Sequence, residues 1–272
     1  MRIALCNEVL ADRSFAEQCR YAAALGYDGL EVAPYTLGEN PLTLSDKELL
    51  GYQAVAASHG LTITSLHWLL VAPAGLSIVS ADSTVRQHTL AAMQRLIEQC
   101  ALLGAEVLVH GSPGQRRLEA DGDRERAEDY FDRAGELAQK AGVTYCIEPL
   151  APRETNYLNT LAETADLVRR LNRPGLKTML DTSAAAHGET ESPAAVLDAW
   201  LDSGLVAHVQ LNDRNRRAPG QGDDAFLPVL ETLIRHGYSG TLAVEPFIYE
   251  PDGATTAARA IGYLHGLREA LA

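Results

Sequence analysis

A closed eight-stranded α/β barrel, the (β/α)8 or TIM fold, is the architecture this sequence predicts, on three observations. Short apolar runs alternate with longer helical stretches along the chain. Cycle after cycle ends helix, glycine, strand. A length of 272 residues at 46% hydrophobic content suits one large core of this kind. Residues 1–272 are therefore expected to form a single domain.

A strand at 3–6 leads to a helix at 14–25, stopped by Gly26, and a second strand spans 29–32. Ser45 can cap a helix running to about residue 58, with Gly60 beyond it, before the third strand at 62–66. A long helix over 83–103 and Gly104 precede the fourth strand, 106–109. The charged helix 123–141 and Gly142 precede the fifth, 144–148. Helix 161–171, strand 178–180, helix 193–201, strand 206–210, helix 223–236 with Gly237, strand 241–245 and a closing helix over 254–270 complete eight strand–helix pairs. An open doubly wound sheet is the competing architecture, but the first strand leads into no G-x-G-x-x-G turn and no P-loop pattern occurs.

The formal net charge of -13 argues against nucleic acid or an anionic membrane as partner, since either needs a basic field. No apolar run approaches membrane-spanning length, and the N-terminus turns polar too soon for a secretory signal, so a cytoplasmic protein is expected. Cys6, Cys19, Cys100 and Cys146 show no C-x-x-C spacing, and Cys6 and Cys146 lie in apolar strand-like runs. Buried thiols are expected, not disulfides or a zinc site.

Barrel enzymes place their chemistry at the carboxyl ends of the strands. The polar residues there are Glu31 on strand two, His67 and Trp68 on three, His110 on four, Glu148 on five, Asp181 on six, His208 and Gln210 on seven, and Glu245 on eight. Glu148, Asp181 and Glu245 each follow an apolar strand directly, where an unpaired carboxylate is costly to bury. Singly, each could cap a helix or pair with an arginine. Together with the Gln210 amide they form an all-oxygen set that repels itself unless a cation is present. Such a set suits one divalent ion, Mn2+ or Mg2+, better than zinc. Three negative charges around that ion favour a neutral polyol or keto-sugar and leave a carboxylate basic enough to take a proton.

Five phrases stand in a telling order and spacing: Ile147-Glu148-Pro149-Leu150; Glu154 with Leu158-Asn159-Thr160; Leu180-Asp181-Thr182; His208-Val209-Gln210 followed by Asn215-Arg216-Arg217-Ala218-Pro219-Gly220-Gln221-Gly222; and Val244-Glu245-Pro246-Phe247. Through them the chain resembles the xylose isomerase-like superfamily of barrels, and within it the sugar isomerase/epimerase group that includes D-tagatose 3-epimerases and hydroxypyruvate isomerases. The resemblance implies a divalent metal held by Glu148, Asp181, Gln210 and Glu245. It also implies that Glu148 and Glu245 act as acid and base, abstracting a proton next to a carbonyl through a metal-stabilised enediolate. Glu154 and Arg216 match positions that bind substrate oxygens. Returning the proton to the other face gives epimerisation, and returning it to the adjacent carbon gives aldose–ketose isomerisation. Loss of a β-hydroxyl would make the enzyme a lyase, dehydrating a cyclic keto-polyol such as 3-dehydroshikimate or an inosose.

Two positions depart from the epimerase pattern. Gln210 stands where epimerases carry a histidine ligand, a choice linked to hydroxypyruvate isomerases and some 3-dehydroshikimate dehydratases. Ala184 stands where they carry a substrate-binding histidine, with His187 as the nearby candidate for that role. Endonuclease IV is also similar, but its extra histidine ligands and basic face are missing. Among the remaining residues, His67, Trp68 and His110 are expected to line the pocket, and His208 to pack one layer deeper inside the barrel. Glu31 could approach the pocket from strand two, and Gln115 and Arg116 lie on a loop that could cover the substrate. Residues 247–249 and the long third helix offer apolar surface for a homo-oligomer, which is common in the resembled group.

Overall fold

In the computed structural model, which describes residues 1–271, parallel strands close into an eight-stranded barrel in chain order. The strands are β1 Arg2–Cys6, β2 Gly29–Val32, β3 Thr62–Leu66, β4 Val107–His110, β5 Thr144–Ile147, β6 Leu176–Asp181, β7 Val206–Leu211 and β8 Thr241–Val244. Around them lie α1 Phe15–Leu25, α2 Asp46–Ser58, α3 Ser83–Leu102, α4 Asp123–Ala141, α5 Leu161–Leu171, α6 Thr182–Gly188, α7 Pro193–Trp200, α8 Leu227–Arg235 and α9 Gly253–Ala270.

Local chemistry starts and stops these elements. Helices α1, α2 and α5 open on capping boxes, Ser14 with Glu17, Ser45 with Glu48 and Thr160 with Glu163, each occupying N–H groups that the first turn leaves unpaired. Gly26 and Gly142 end α1 and α4 at φ 94° and 73°, a left-handed conformation that turns the chain back into the next strand.

Side-chain alternation along the strands divides the apolar residues into two layers. Val107, Val109, Cys146 and Met179, with Ala207 against them, fill the barrel interior. Leu108, Tyr145, Ile147, Leu180, Val209 and Val244 face the helices in the larger cluster. Two irregularities break the alternation, between Leu30 and Glu31 in the β2–β3 pairing and between Thr178 and Met179 in the β6–β7 pairing. They bring Glu31 level with Ser65 and Met179 level with His208, which turns Ser65, His208 and Gln210 inward. The carboxyl end of the interior is accordingly polar, and an apolar floor lies beneath it.

Apart from shifts of one or two residues at other strand ends, three features differ from the sequence-based expectation. The sequence pattern predicts no helix over 182–188; Asp181 starts α6 by accepting the Ala184 N–H at 2.6 Å, and the Ala-rich stretch behind propagates one short helix. Helix α8 begins at Leu227, not at 223. Asp224 is held by the preceding loop, accepting from Arg214 N at 2.6 Å and donating its own N–H to Asp213 Oδ2 at 2.9 Å. Strand β5 ends at Ile147, although the Glu148 N–H still reaches the His110 carbonyl at 3.2 Å. All four cysteines are free and buried. Among the described residues no helix is long and apolar enough to cross a membrane.

Candidate active site

Glu148, Asp181 and Glu245 emerge from β5, β6 and β8 into one space. Each offers a carboxylate oxygen, and these oxygens lie within 4.8 Å of one another. All three residues are buried.

Each is held differently. The Glu148 backbone is pinned by Arg116, whose fully buried guanidinium donates to the Glu148 carbonyl at 2.6 Å and to the His110 carbonyl at 3.4 Å. Its carboxylate lies over Gly111, where a Cβ would come within 1.8 Å of Glu148 Oε2. Gly111→Ala should therefore push the carboxylate out of place while the barrel stays folded, lowering kcat about 100-fold, as small misplacements of a reacting group do. Steady-state kinetics beside circular dichroism checks this, and wild-type kcat would show that Glu148 does not need this position.

Asp181 uses Oδ1 to cap α6, while its Oδ2 meets no hydrogen-bond donor among the described residues. Glu245 accepts from His67 Nδ1 through Oε1 at 2.9 Å, leaving Oε2 without a donor. The other nitrogen of His67 lies 3.0 Å from Glu8 Oε2, so the ring is a strut between two carboxylates. Gln210 donates its amide nitrogen to Glu31 Oε1 at 2.6 Å, and its Oε1 is likewise buried with no donor.

The charges follow from this packing. Burial, reinforced by the Glu245 and Asp181 charges, pushes the Glu148 carboxyl well above its ordinary range. Burial raises Asp181 to about 7 against the lowering effect of the Ala184 N–H and the Asn212 side chain. Burial also raises Glu245 to about 8, although His67 pulls the other way. Glu31 behaves in the opposite sense: burial alone would raise it, but His208 and His67 beside it and the Ser65 hydroxyl hold it well below the usual carboxylate range.

Asp181 and Glu245 each keep a buried oxygen without a donor beside a Glu148 carboxylate that its neighbours repel, and Gln210, level with Asp181 in the β6–β7 pairing, carries a third such oxygen. Unpaired buried acceptors of this kind are costly, and an oxygen-preferring divalent cation satisfies all four groups at once. The residues present thus fit such an ion.

Above the carboxylates a small cleft is walled by Trp68, Pro113, Leu150, Glu154 and Phe247. Trp68 and Phe247 meet edge to face with centroids 6.2 Å apart. Arg216 is exposed and lays its guanidinium over the Phe247 ring at 4.4 Å. Its backbone adopts φ 68°, and its carbonyl accepts the N–H groups of Phe247 and Ile248 at 2.8 and 3.0 Å, joining the loop after β7 to the end of β8. A roomier groove between α3 and α4, lined by Arg86, Arg126, Asp129 and Tyr130 among others, shares no lining residue with the cleft, and among the described residues no comparable group of acids converges there.

Several expected site residues lie elsewhere. His110 does not line the cleft: with Val109 facing the barrel interior, alternation turns His110 toward the helices. There it approaches Tyr145 Oη at 2.7 Å and packs against Phe131 and Tyr130. His187 is exposed and donates from Nε2 to the Arg214 carbonyl at 3.0 Å. Arg116 is an internal brace and not a substrate cover. The site also uses Glu8, Ser65 and Gly111, which the sequence reading passed over. Glu8 lies two residues beyond the end of β1, one place further than the acids that follow the other strands directly.

A closed parallel barrel whose strand ends gather carboxylates under an aromatic-walled cleft is the construction of a barrel enzyme. The xylose isomerase-like TIM barrel family matches residues 19–266, and the chain belongs to that family. It is 27% identical over 234 residues to the D-psicose 3-epimerase of Ruminiclostridium cellulolyticum, covering 83% of this chain and 76% of the relative. It is 24% identical over 266 residues to the 3-dehydro-D-guloside 4-epimerase of Escherichia coli, covering 93% and 95%. Among solved structures, an L-ribulose 3-epimerase shares the fold with a TM-score of 0.84 at 20% identity, covering 99% of this chain and 95% of that one.

Proposed function

We propose that this chain is a divalent-metal-dependent sugar epimerase acting on a small ketose or keto-sugar. The observation that carries the reading is the convergence of the Glu148, Asp181 and Glu245 carboxylates, with donor-less buried oxygens on Asp181, Glu245 and the neighbouring Gln210. The epimerase names of the relatives point to the same reaction class. Glu148, Asp181, Gln210 and Glu245 would hold the ion. When bound, it supplies positive charge next to the substrate oxygen on which negative charge develops.

Glu148 and Glu245 approach from β5 and β8, three strands apart around the barrel, so they address the substrate from different sides. Each carries a carboxylate oxygen that can take a proton from carbon and give one back. One removes the proton next to the carbonyl. The other returns a proton to the opposite face, inverting that carbon. His67 holds Glu245 Oε1 and so presents Oε2 to the cleft. Trp68 and Phe247 offer an apolar wall to the carbon face of a sugar, and Glu154 offers an acceptor to its hydroxyls.

The test is solvent-deuterium exchange into a panel of ketoses and keto-sugars with Mn2+, then with chelator. Metal-dependent exchange at a carbon next to a carbonyl, with the epimer accumulating, is expected. No exchange into any of them by protein holding Mn2+ overturns the reading, and an absorbing enone product would make the enzyme a dehydratase. Arg216→Ala should raise KM roughly tenfold with little change in kcat, the pattern of uniform substrate binding. Unchanged constants would remove Arg216 from the site.

A further inference from the structure

Glu31 is fully buried behind Gln210, and its carboxylate is surrounded by groups that can donate. Oε1 accepts from Gln210 Nε2 at 2.6 Å and from the Cys6 thiol at 3.3 Å. Oε2 accepts from the Ser65 hydroxyl and lies 2.7 Å from His208 Nε2. His67 Nδ1 is 3.7 Å from Oε1.

A carboxylate in such a ring of donors only accepts, so the Gln210 amide atom beside it must be the NH2 group. The opposite end is then the carbonyl oxygen, which is buried without a donor on a residue level with Asp181 in the β6–β7 pairing. Flipping the amide would set two acceptors 2.6 Å apart and aim N–H groups where a cation belongs.

We propose that Glu31 is a positioning residue that locks the Gln210 side chain with its oxygen toward the metal site, making an amide serve as a ligand in this chain. Ser65 and the two flanking histidines hold Glu31 itself in register. This rests on the metal-site reading above, and extends it to a residue that touches neither ion nor substrate.

The experiment is calorimetric titration of the full chain with Mn2+. Glu31→Gln should weaken Mn2+ binding roughly tenfold, within the range known for partners that orient ligands, and only about twofold when Gln210→Met is already present. Equal losses in the two backgrounds overturn the proposal, because Glu31 would then act only through its charge. If Glu31→Gln does not fold, Gln210→Glu leaves Glu31 untouched. It places an oxygen against Glu31, so near neutral pH it should bind Mn2+ no more tightly than wild type despite the added negative charge. Tighter binding overturns the proposal. Wild-type protein that binds no Mn2+ overturns the metal-site reading itself, and this inference with it. Binding that depends on Glu148 and Asp181 without Glu31–Gln210 coupling removes only the inference.

Discussion

Glu148→Gln and Glu245→Gln should each lower kcat by about 1,000-fold while the protein remains folded, the loss expected when a general acid or base is replaced by an amide. Each substitution keeps shape and a carbonyl oxygen but removes the group that exchanges a proton. Stability should not suffer. Barrel stability resides in the interior and the helix-facing layer, and the carboxylates repel one another when no cation is present. Thermal unfolding of chelated Glu148→Gln should give a Tm equal to or above that of wild type. Incubating a substrate epimerised by wild type with either variant in deuterated solvent measures the chemical step directly. Turnover near the wild-type rate in both variants would end the two-glutamate mechanism.

Removing metal should make stability fall as pH rises from 5 to 8. Asp181 and Glu245 hold their protons to about 7 and about 8 when folded, against ordinary values of 3.8 and 4.5. Below their ordinary values both states are protonated, and this contribution is fully present. As pH rises, the unfolded chain releases these protons first. The folded state then binds more protons than the unfolded state, and stability declines until pH passes the folded values. In chelator, Tm should drop by roughly 5 °C or more over this window, given the modest Tm change per kcal/mol in a chain of this size. Mn2+ should reverse the trend, raising Tm more at pH 8 than at pH 5, because it binds the deprotonated oxygens. A flat profile in chelator, or a Mn2+ effect independent of pH, would mean these oxygens do not form a shared cation site. Asp181→Asn with Glu245→Gln should flatten the profile.

The barrel was legible because its signals are local. Capping residues such as Ser45 and Thr160, the glycines that end α1 and α4, and short apolar strands all act within a few residues of themselves. The strand-end carboxylates were legible for a related reason: an acid directly behind a buried strand needs a compensating partner wherever the fold takes it. Asp181 shows how two roles share one side chain, since one oxygen caps α6 and the other is left for the site. The sequence reading treated these as alternatives.

What the chain sequence determined by itself was therefore the order of elements, the barrel they close into, and which strand ends carry acids. What only the tertiary structure decided was the direction in which side chains face and what meets them. Alternation from Val109 sends His110 to the helices, and the irregular β6–β7 pairing sets His208 level with Met179. Glu31, Ser65 and His67 acquire their importance from partners on distant strands, such as Gln210, 179 positions from Glu31. The physical reason is that strand propensity depends on neighbours along the chain. The facing of a strand depends on pairing register, and one irregularity in that register reverses every residue beyond it.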